Sequence, residues 1–218
     1  MYKITFLFLT VCLLTACQVT TYEFASTRNE NYKLQIPKDI TYSQKYSNAL
    51  NDSDVKGNIQ DMFGRTNFSQ TDNQYNLRRL REINLSILKS FTYRNDGRGG
   101  QDDIWDSGLA DLISQSEFKG DCEDLALTSI EVAYLSGFPK ERLYKILSLS
   151  QAPGSAPDMH MIAGFMDSKG EMWVFGDTLT KYPKKLNFLT HIHSPILYSR
   201  MDWKSYWQTP DKIIQEKM

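Results

Sequence analysis

The stretch Gly120-Asp121-Cys122-Glu123-Asp124-Leu125-Ala126-Leu127-Thr128-Ser129-Ile130-Glu131-Val132-Ala133 decides how the chain is read, together with the stop Gly137-Phe138-Pro139. Leu125, Ala126, Ile130 and Ala133 recur on a helical period, and glycine followed by proline marks the end of a helix. Cys122 therefore falls in the first turn of a largely buried helix. Beyond Pro139 the period changes. Leu143 to Ser150 alternates as a strand does, and so do Met159 to Met166 and Met172 to Gly176.

Upstream of the stretch the pattern is helical. Leu77, Leu80, Ile83, Ile87 and Phe91 lie three or four apart and predict an amphipathic helix opening near Thr71–Asn73. It closes before the loop signal Asn95-Asp96-Gly97-Arg98-Gly99-Gly100. A shorter helix follows, with Trp105, Leu109, Leu112 and Ile113 inward, and Asn51 to Phe63 has room for another. Helices first and strands afterwards predict an α+β domain, with N-terminal helices packed on an antiparallel sheet.

The chain has 218 residues, 41% hydrophobic and 23% charged, which supports a folded core and excludes wholesale disorder. Lys and Arg number 25 against 26 Asp and Glu. No basic surplus exists to neutralise phosphates, so no nucleic-acid partner is expected.

The N-terminus reads as an address. Lys3 is followed by an apolar run, Ile4 to Leu14, too short to span a bilayer. Leu14-Thr15-Ala16-Cys17 resembles the bacterial lipobox, which implies a signal peptide over 1–16 and lipidation of Cys17. The segment 17–50 is polar and reads as a lipidated tether, leaving 51–218 as the domain. Gln18 after the lipidated cysteine fits sorting to the outer membrane, with the chain facing the periplasm; the inner membrane is the other destination. Cys12 would leave with the signal, so Cys122 is the one cysteine left in the domain. By count alone it is either a reactive thiol or a buried structural cysteine.

A helix N-terminus favours a thiolate, which predicts a lowered Cys122 pKa, while Asp121, Glu123 and Asp124 oppose it by like charge. Activation calls for a base with a third group to orient it. The histidines are His160, His191 and His193. His160 lies on a strand that turns at Asp167-Ser168-Lys169-Gly170. A turn centred between Ser168 and Lys169 sets His160 directly opposite Asp177, near enough for a carboxylate to hold an imidazole. A loop of three residues with a bulge would shift that register. His191 and His193 share one strand face, as metal ligands sometimes do, but without a third ligand they read as surface histidines. Trp203, Tyr206 and Trp207 form an aromatic cluster that reads as core packing or a capping segment.

The motif Gly120-Asp121-Cys122-Glu123-Asp124, followed by His160-Met161 and by Asp177 closing an apolar strand, resembles the bacterial transglutaminase-like cysteine proteinases. Asn84, Tyr93 and Asp103-Ile104-Trp105 add to the resemblance, which covers about half of the chain. Gly108 and Thr178 depart from it, at positions where the family commonly has proline and asparagine. The resemblance implies a papain-like or transglutaminase-like cysteine protease fold. It makes Cys122 the nucleophile, His160 the general base and then acid, and Asp177 the orienting group. It further implies calcium held by Asp121 and Glu123, with no organic cofactor. The expected substrate is a protein of the cell envelope, a surface adhesin among the candidates, with a regulatory protein as a further partner. Two rival readings use the same fold: a non-catalytic calcium-dependent binding lipoprotein, and an enzyme acting on peptidoglycan peptides.

Overall fold

The computed structural model describes residues 20–25, 31–36, 52–94, 107–114, 116–150 and 158–201. The signal segment with Cys17, the Asp103-Ile104-Trp105 motif and the aromatic cluster from Trp203 lie outside these residues, as does the side chain of His193.

Two short strands, β1 (Thr20–Ala25) and β2 (Asn31–Ile36), pair antiparallel within the stretch read as a tether. The alternation of Tyr22 with Phe24 and of Tyr32 with Leu34 is the signal that reading passed over. Helices α1 (Ser53–Phe63) and α2 (Asn73–Ser90) follow. Asp52 caps α1 by accepting from the Asp54 and Val55 amides, and Asp72 caps α2 by accepting from Tyr75. Strand β3 (Phe91–Tyr93) pairs in parallel with β4 (Phe118–Gly120), and the short helix α3 (Leu109–Ile113) lies between them in sequence.

Helix α4 (Cys122–Ser136) is the centre of the domain. All of its residues from Glu123 to Ser136 are buried except Tyr134. A helix enclosed on all sides must satisfy its polar side chains internally. Thr128 donates to the Asp124 carbonyl and accepts from the Gly108 amide, and Ser107 donates to Glu131. Gly137, at φ 120°, closes the helix, and the Phe138 amide returns to the Ala133 carbonyl.

The main sheet has five antiparallel strands: β5 (Leu143–Ser150), β6 (Asp158–Met166), β7 (Met172–Phe175), β8 (Lys184–Lys185) and β9 (Ile192–Arg200). Their spatial order is β8-β7-β6-β5-β9. Helix α4 packs on β6 and β5, with α1, α2 and α3 around it. One face of the sheet contributes Leu143, Leu147, Met161, Ala163, Phe165 and Phe175 to the core shared with the helices. The other face carries Tyr144, Ile146, Ile162, Met166 and Val174, packed with Leu186 and Leu189. The expected α+β architecture is therefore the observed one. No helix among the described residues is long and apolar enough to cross a membrane.

The β6–β7 turn departs from the expected register. Gly170 has φ 78°, and the chain folds back through a three-residue loop in which the Asp167 amide reaches the Glu171 carbonyl. Asp167 holds the loop by accepting from the Lys169 and Glu171 amides, and from Asn73 and the Trp173 indole. The pairing becomes Met166↔Met172 through Ala163↔Phe175, one residue away from a register that would set His160 opposite Asp177. Glycine in the left-handed region is the usual third residue of such loops, so the physical cause stands in the sequence.

Candidate active site

The site is built where β6 outruns β7. Pairing between them ends at Ala163↔Phe175, and Gly176, at φ 61°, turns the chain sharply. A side chain at Gly176 would stand 2.7 Å from Ser129 on α4, so the turn has no room for one. Asp177 then closes a tight turn, its carbonyl accepting from the Thr180 amide at 3.1 Å. That turn brings the Asp177 carboxylate to His160, with Nε2 to Oδ1 at 3.3 Å. The two residues meet through the turn and not through the ladder.

Asp177 is 1% exposed and is surrounded by donors. Oδ1 also accepts from the Leu179 amide at 3.1 Å, and Oδ2 accepts from the Thr180 hydroxyl at 2.7 Å and from His191 Nε2 at 3.1 Å. Burial works against the charged form, but the bonds to His160, Thr180 and Leu179 outweigh it and lower the pKa from 3.8 to about 2. An ionised carboxylate only accepts hydrogen bonds, so His160 carries its proton on Nε2 and leaves Nδ1 with a lone pair. This is the tautomer a general base requires.

The folded pKa of Asp177 is depressed, so its contribution is fully present above about pH 4 and is lost as pH falls toward about 2. The amount is about 2 kcal/mol, from the shift of nearly two pH units. Urea midpoints measured from pH 5 to pH 2 are expected to show this component in the wild type, and Asp177→Asn is expected to lack it.

Asn84, fully buried on α2, holds the loop that carries Asp177. Its Oδ1 accepts from the Gly176 amide at 2.8 Å, and its Nδ2 donates to the carbonyls of Thr180 and Lys181 at 3.1 and 3.0 Å. Asn84→Leu would strand these three backbone groups, at a cost of about 3 kcal/mol. Equilibrium urea denaturation is expected to report that loss, where a surface substitution on α2 would move stability by well under 1 kcal/mol.

Cys122 opens α4 and is half-buried, as a free thiol. The Met161 backbone amide, on the residue that follows His160, favours the charged form of its sulfur. The thiol also donates to Glu123 Oε2 at 3.1 Å. The expected lowering of its pKa does not occur. Burial pushes the thiol well above the usual cysteine value, and the charge of Glu123 adds to the rise; the Met161 amide opposes both. Helix position alone gave the wrong sign, because loss of solvent and a neighbouring carboxylate outweigh the helix dipole here.

Asp121 and Glu123 are both buried, and ligand atoms of Asp121, Cys122 and Glu123 lie within 4.8 Å of one another. The Asp121 amide donates to Asp124 Oδ2 at 3.3 Å, whereas Asp121 Oδ1 is buried without a hydrogen-bond partner among the described residues. A buried carboxylate oxygen with no donor among the described residues, close to a second buried carboxylate, suits a hard cation such as calcium.

No family model matches the chain, and no curated protein matches it. Among solved structures, Legionella pneumophila LapG is similar at TM-score 0.49 and 18% identity, covering 80% of this chain and 95% of that one. Its calcium-bound form gives 0.47 and 18%, over 80% and 98% of the two chains. Its EGTA-treated form gives 0.48 and 17% over the same shares. Similarity at this level assigns no activity here.

The structure thus joins His160 to Asp177 and opens the buried helix α4 with Cys122. His191 is the residue that sequence reasoning misplaced. Read as a surface histidine, it is only 17% exposed in its side chain and is bonded to Asp177. The His-x-His pattern gives strand parity, but not the contact with a loop 14 residues earlier in the chain.

Proposed function

We propose that the chain is a cysteine peptidase of papain-like or transglutaminase-like fold, acting through Cys122, His160 and Asp177. The observation that carries this reading is the His160–Asp177 pair, with its ionised carboxylate, on the same domain as a cysteine that opens a buried helix packed on the strand of His160. His160 Nδ1 takes the thiol proton as the sulfur attacks the scissile carbonyl. The protonated ring, steadied by Asp177, returns that proton to the leaving amine as the thioester forms. Water, deprotonated by the same nitrogen, then breaks the thioester, releasing the acid and restoring the thiol. Backbone amides in the first turn of α4 are the donors available to the oxyanion.

Asp121 and Glu123 would hold calcium beside the nucleophile. When bound, the ion supplies positive charge that offsets the two carboxylates facing the sulfur. Glu123, engaged with the ion, would also cease to accept the thiol proton. Alkylation of Cys122 by iodoacetamide at pH 7 is accordingly expected to be severalfold faster with calcium than with EGTA. Equal rates would remove calcium from the site.

In this reading the lipobox-like segment 1–17 would address the enzyme to the bacterial cell envelope, anchored through a lipid on Cys17 and facing the periplasm. Its substrate in this reading is a peptide bond of another envelope protein, a surface adhesin among the candidates. Incubation of the full chain with envelope proteins, followed by sequencing of new N-termini, is expected to show discrete cleavage that disappears after Cys122 is alkylated. Cleavage that survives alkylation, or no cleavage of any envelope protein, would contradict the reading. The raised thiol pKa favours one alternative, a calcium-binding module without catalysis, for which alkylation of Cys122 would leave function intact.

A further inference from the structure

Asp177 is shared. His160 Nε2 lies 3.3 Å from Oδ1 and His191 Nε2 lies 3.1 Å from Oδ2, and the two rings stand 6.5 Å apart at an interplanar angle of 67°. Both imidazoles are half-buried, and the carboxylate between them is fully so. They reach it from different elements: His160 from β6, and His191 from the turn that enters β9. A catalytic dyad needs one imidazole on its carboxylate, so the second calls for an account.

We propose that His191 is a positioning residue of the site, occupying one oxygen of Asp177 so that His160 is held on the other and receives only part of the carboxylate's charge. The geometry requires this division. Asp177 is ionised and accepts only, so each histidine must present Nε2–H to it. Local bonds from Leu179 and Thr180 already fix the carboxylate within its own turn, so His191 is not needed to keep the turn closed. What His191 adds is a second polarised donor on Oδ2. A donor there draws charge away from Oδ1 and so weakens the attraction between Asp177 and a protonated His160 ring. Protonation of His191 would strengthen that effect, because two imidazolium ions at this separation repel. The consequence is a His160 ring that meets less of the carboxylate's charge than it would on an undivided one. A base that must also serve as an acid within each cycle benefits from that adjustment. This inference rests on the reading of His160 as the general base.

Besides Asp177, the ionisable groups on the elements that converge here include Asp121 at the cap of α4, Cys122, Glu123, Asp124, Glu131 and Tyr134 on α4, Asp158 on β6, Lys181 and Tyr182 between β7 and β8, Lys184 and Lys185 on β8, and Arg200 on β9. His193 follows two residues after His191. All of them are kept in the variants that test the idea, so a difference between variants reports on His191.

The test uses the full chain with isotope-labelled histidine. Three histidines make every ring resolvable by NMR. His191→Leu removes the donor; His191→Gln keeps an amide donor that cannot become charged. The His160 titration midpoint is expected to rise by about 0.5 to 1 pH unit in His191→Leu, a three- to tenfold tighter hold on the proton. His191→Gln is expected to lie between that variant and the wild type. Should the leucine variant fail to fold, a rise in the glutamine variant alone supports the proposal. A midpoint that stays at the wild-type value in the folded variants, or one that falls, overturns it. Iodoacetamide alkylation of Cys122 in the wild type and in His160→Ala is measured alongside. If alkylation ignores His160 while the midpoint still moves with His191, the peptidase reading fails and the shared carboxylate stands. If alkylation depends on His160 and the midpoint does not respond, only the role of His191 fails.

Discussion

Asp177→Asn is expected to lower peptide-bond cleavage by about 10³- to 10⁴-fold while leaving the fold in place. The substitution is nearly isosteric, and an asparagine oxygen can still accept from the Leu179 amide or the Thr180 hydroxyl. What changes is the demand on the histidines. Asp177 now accepts from both Nε2 atoms, through separate oxygens. Asparagine offers one oxygen and one amide donor, so at least one imidazole must turn to the Nδ1–H tautomer to accept from it. If that imidazole is His160, the nitrogen that should take the thiol proton is already protonated. The charge that stabilises the imidazolium is lost as well. A variant that remains folded, with a far-ultraviolet spectrum like the wild type, and turns over within tenfold of it would show that Asp177 does not act through His160.

Cys122→Ala is expected to abolish cleavage altogether, a loss of at least about 10⁵-fold, since no other thiol of the described residues could form the thioester. Stability should change little. The sulfur is half-buried, and its removal costs the Glu123 carboxylate only a weak thiol hydrogen bond. The calcium binding proposed for Asp121 and Glu123 should persist, because neither residue is touched; isothermal titration of calcium into the variant checks this. Loss of cleavage with calcium binding retained separates the enzyme from a binding module that happens to carry a cysteine. Cleavage retained by Cys122→Ala would exclude a thioester route.

Much of the architecture was legible because it is written in local periods. The helical spacing around Leu80 and Ile83, the buried run after Cys122 and the alternation from Leu143 onward each correspond to an observed element. Three features were legible in part or not at all, for different reasons. Glycine at position 170, after Asp167-Ser168-Lys169, is a local signal for a three-residue loop, and giving it full weight would have set the register correctly. The carboxylate then reaches His160 for another reason, the left-handed turn at Gly176 that the buried Ser129 forces to be glycine. The Cys122 environment could not be read from helix position, because the thiol responds chiefly to burial and to the Glu123 rotamer, both tertiary facts. His191 was out of reach for a similar reason. Its partner depends on how the β7–β8 connection folds over the end of the sheet, and residue spacing carries no record of that. Asn84 occupies an intermediate place: a polar residue between Ile83 and Ile87 on a buried helix face signals a hydrogen-bonding duty, though not which loop it serves.

The central claim is that His160 activates Cys122, and the rate of Cys122 alkylation by iodoacetamide as a function of pH tests it most directly. In the calcium-loaded wild type the account predicts an alkylation rate at pH 6–7 well above that of an ordinary buried thiol, falling by about 10²-fold or more in His160→Ala. A slow thiol that reacts only at alkaline pH, with the same profile in His160→Ala, would contradict it.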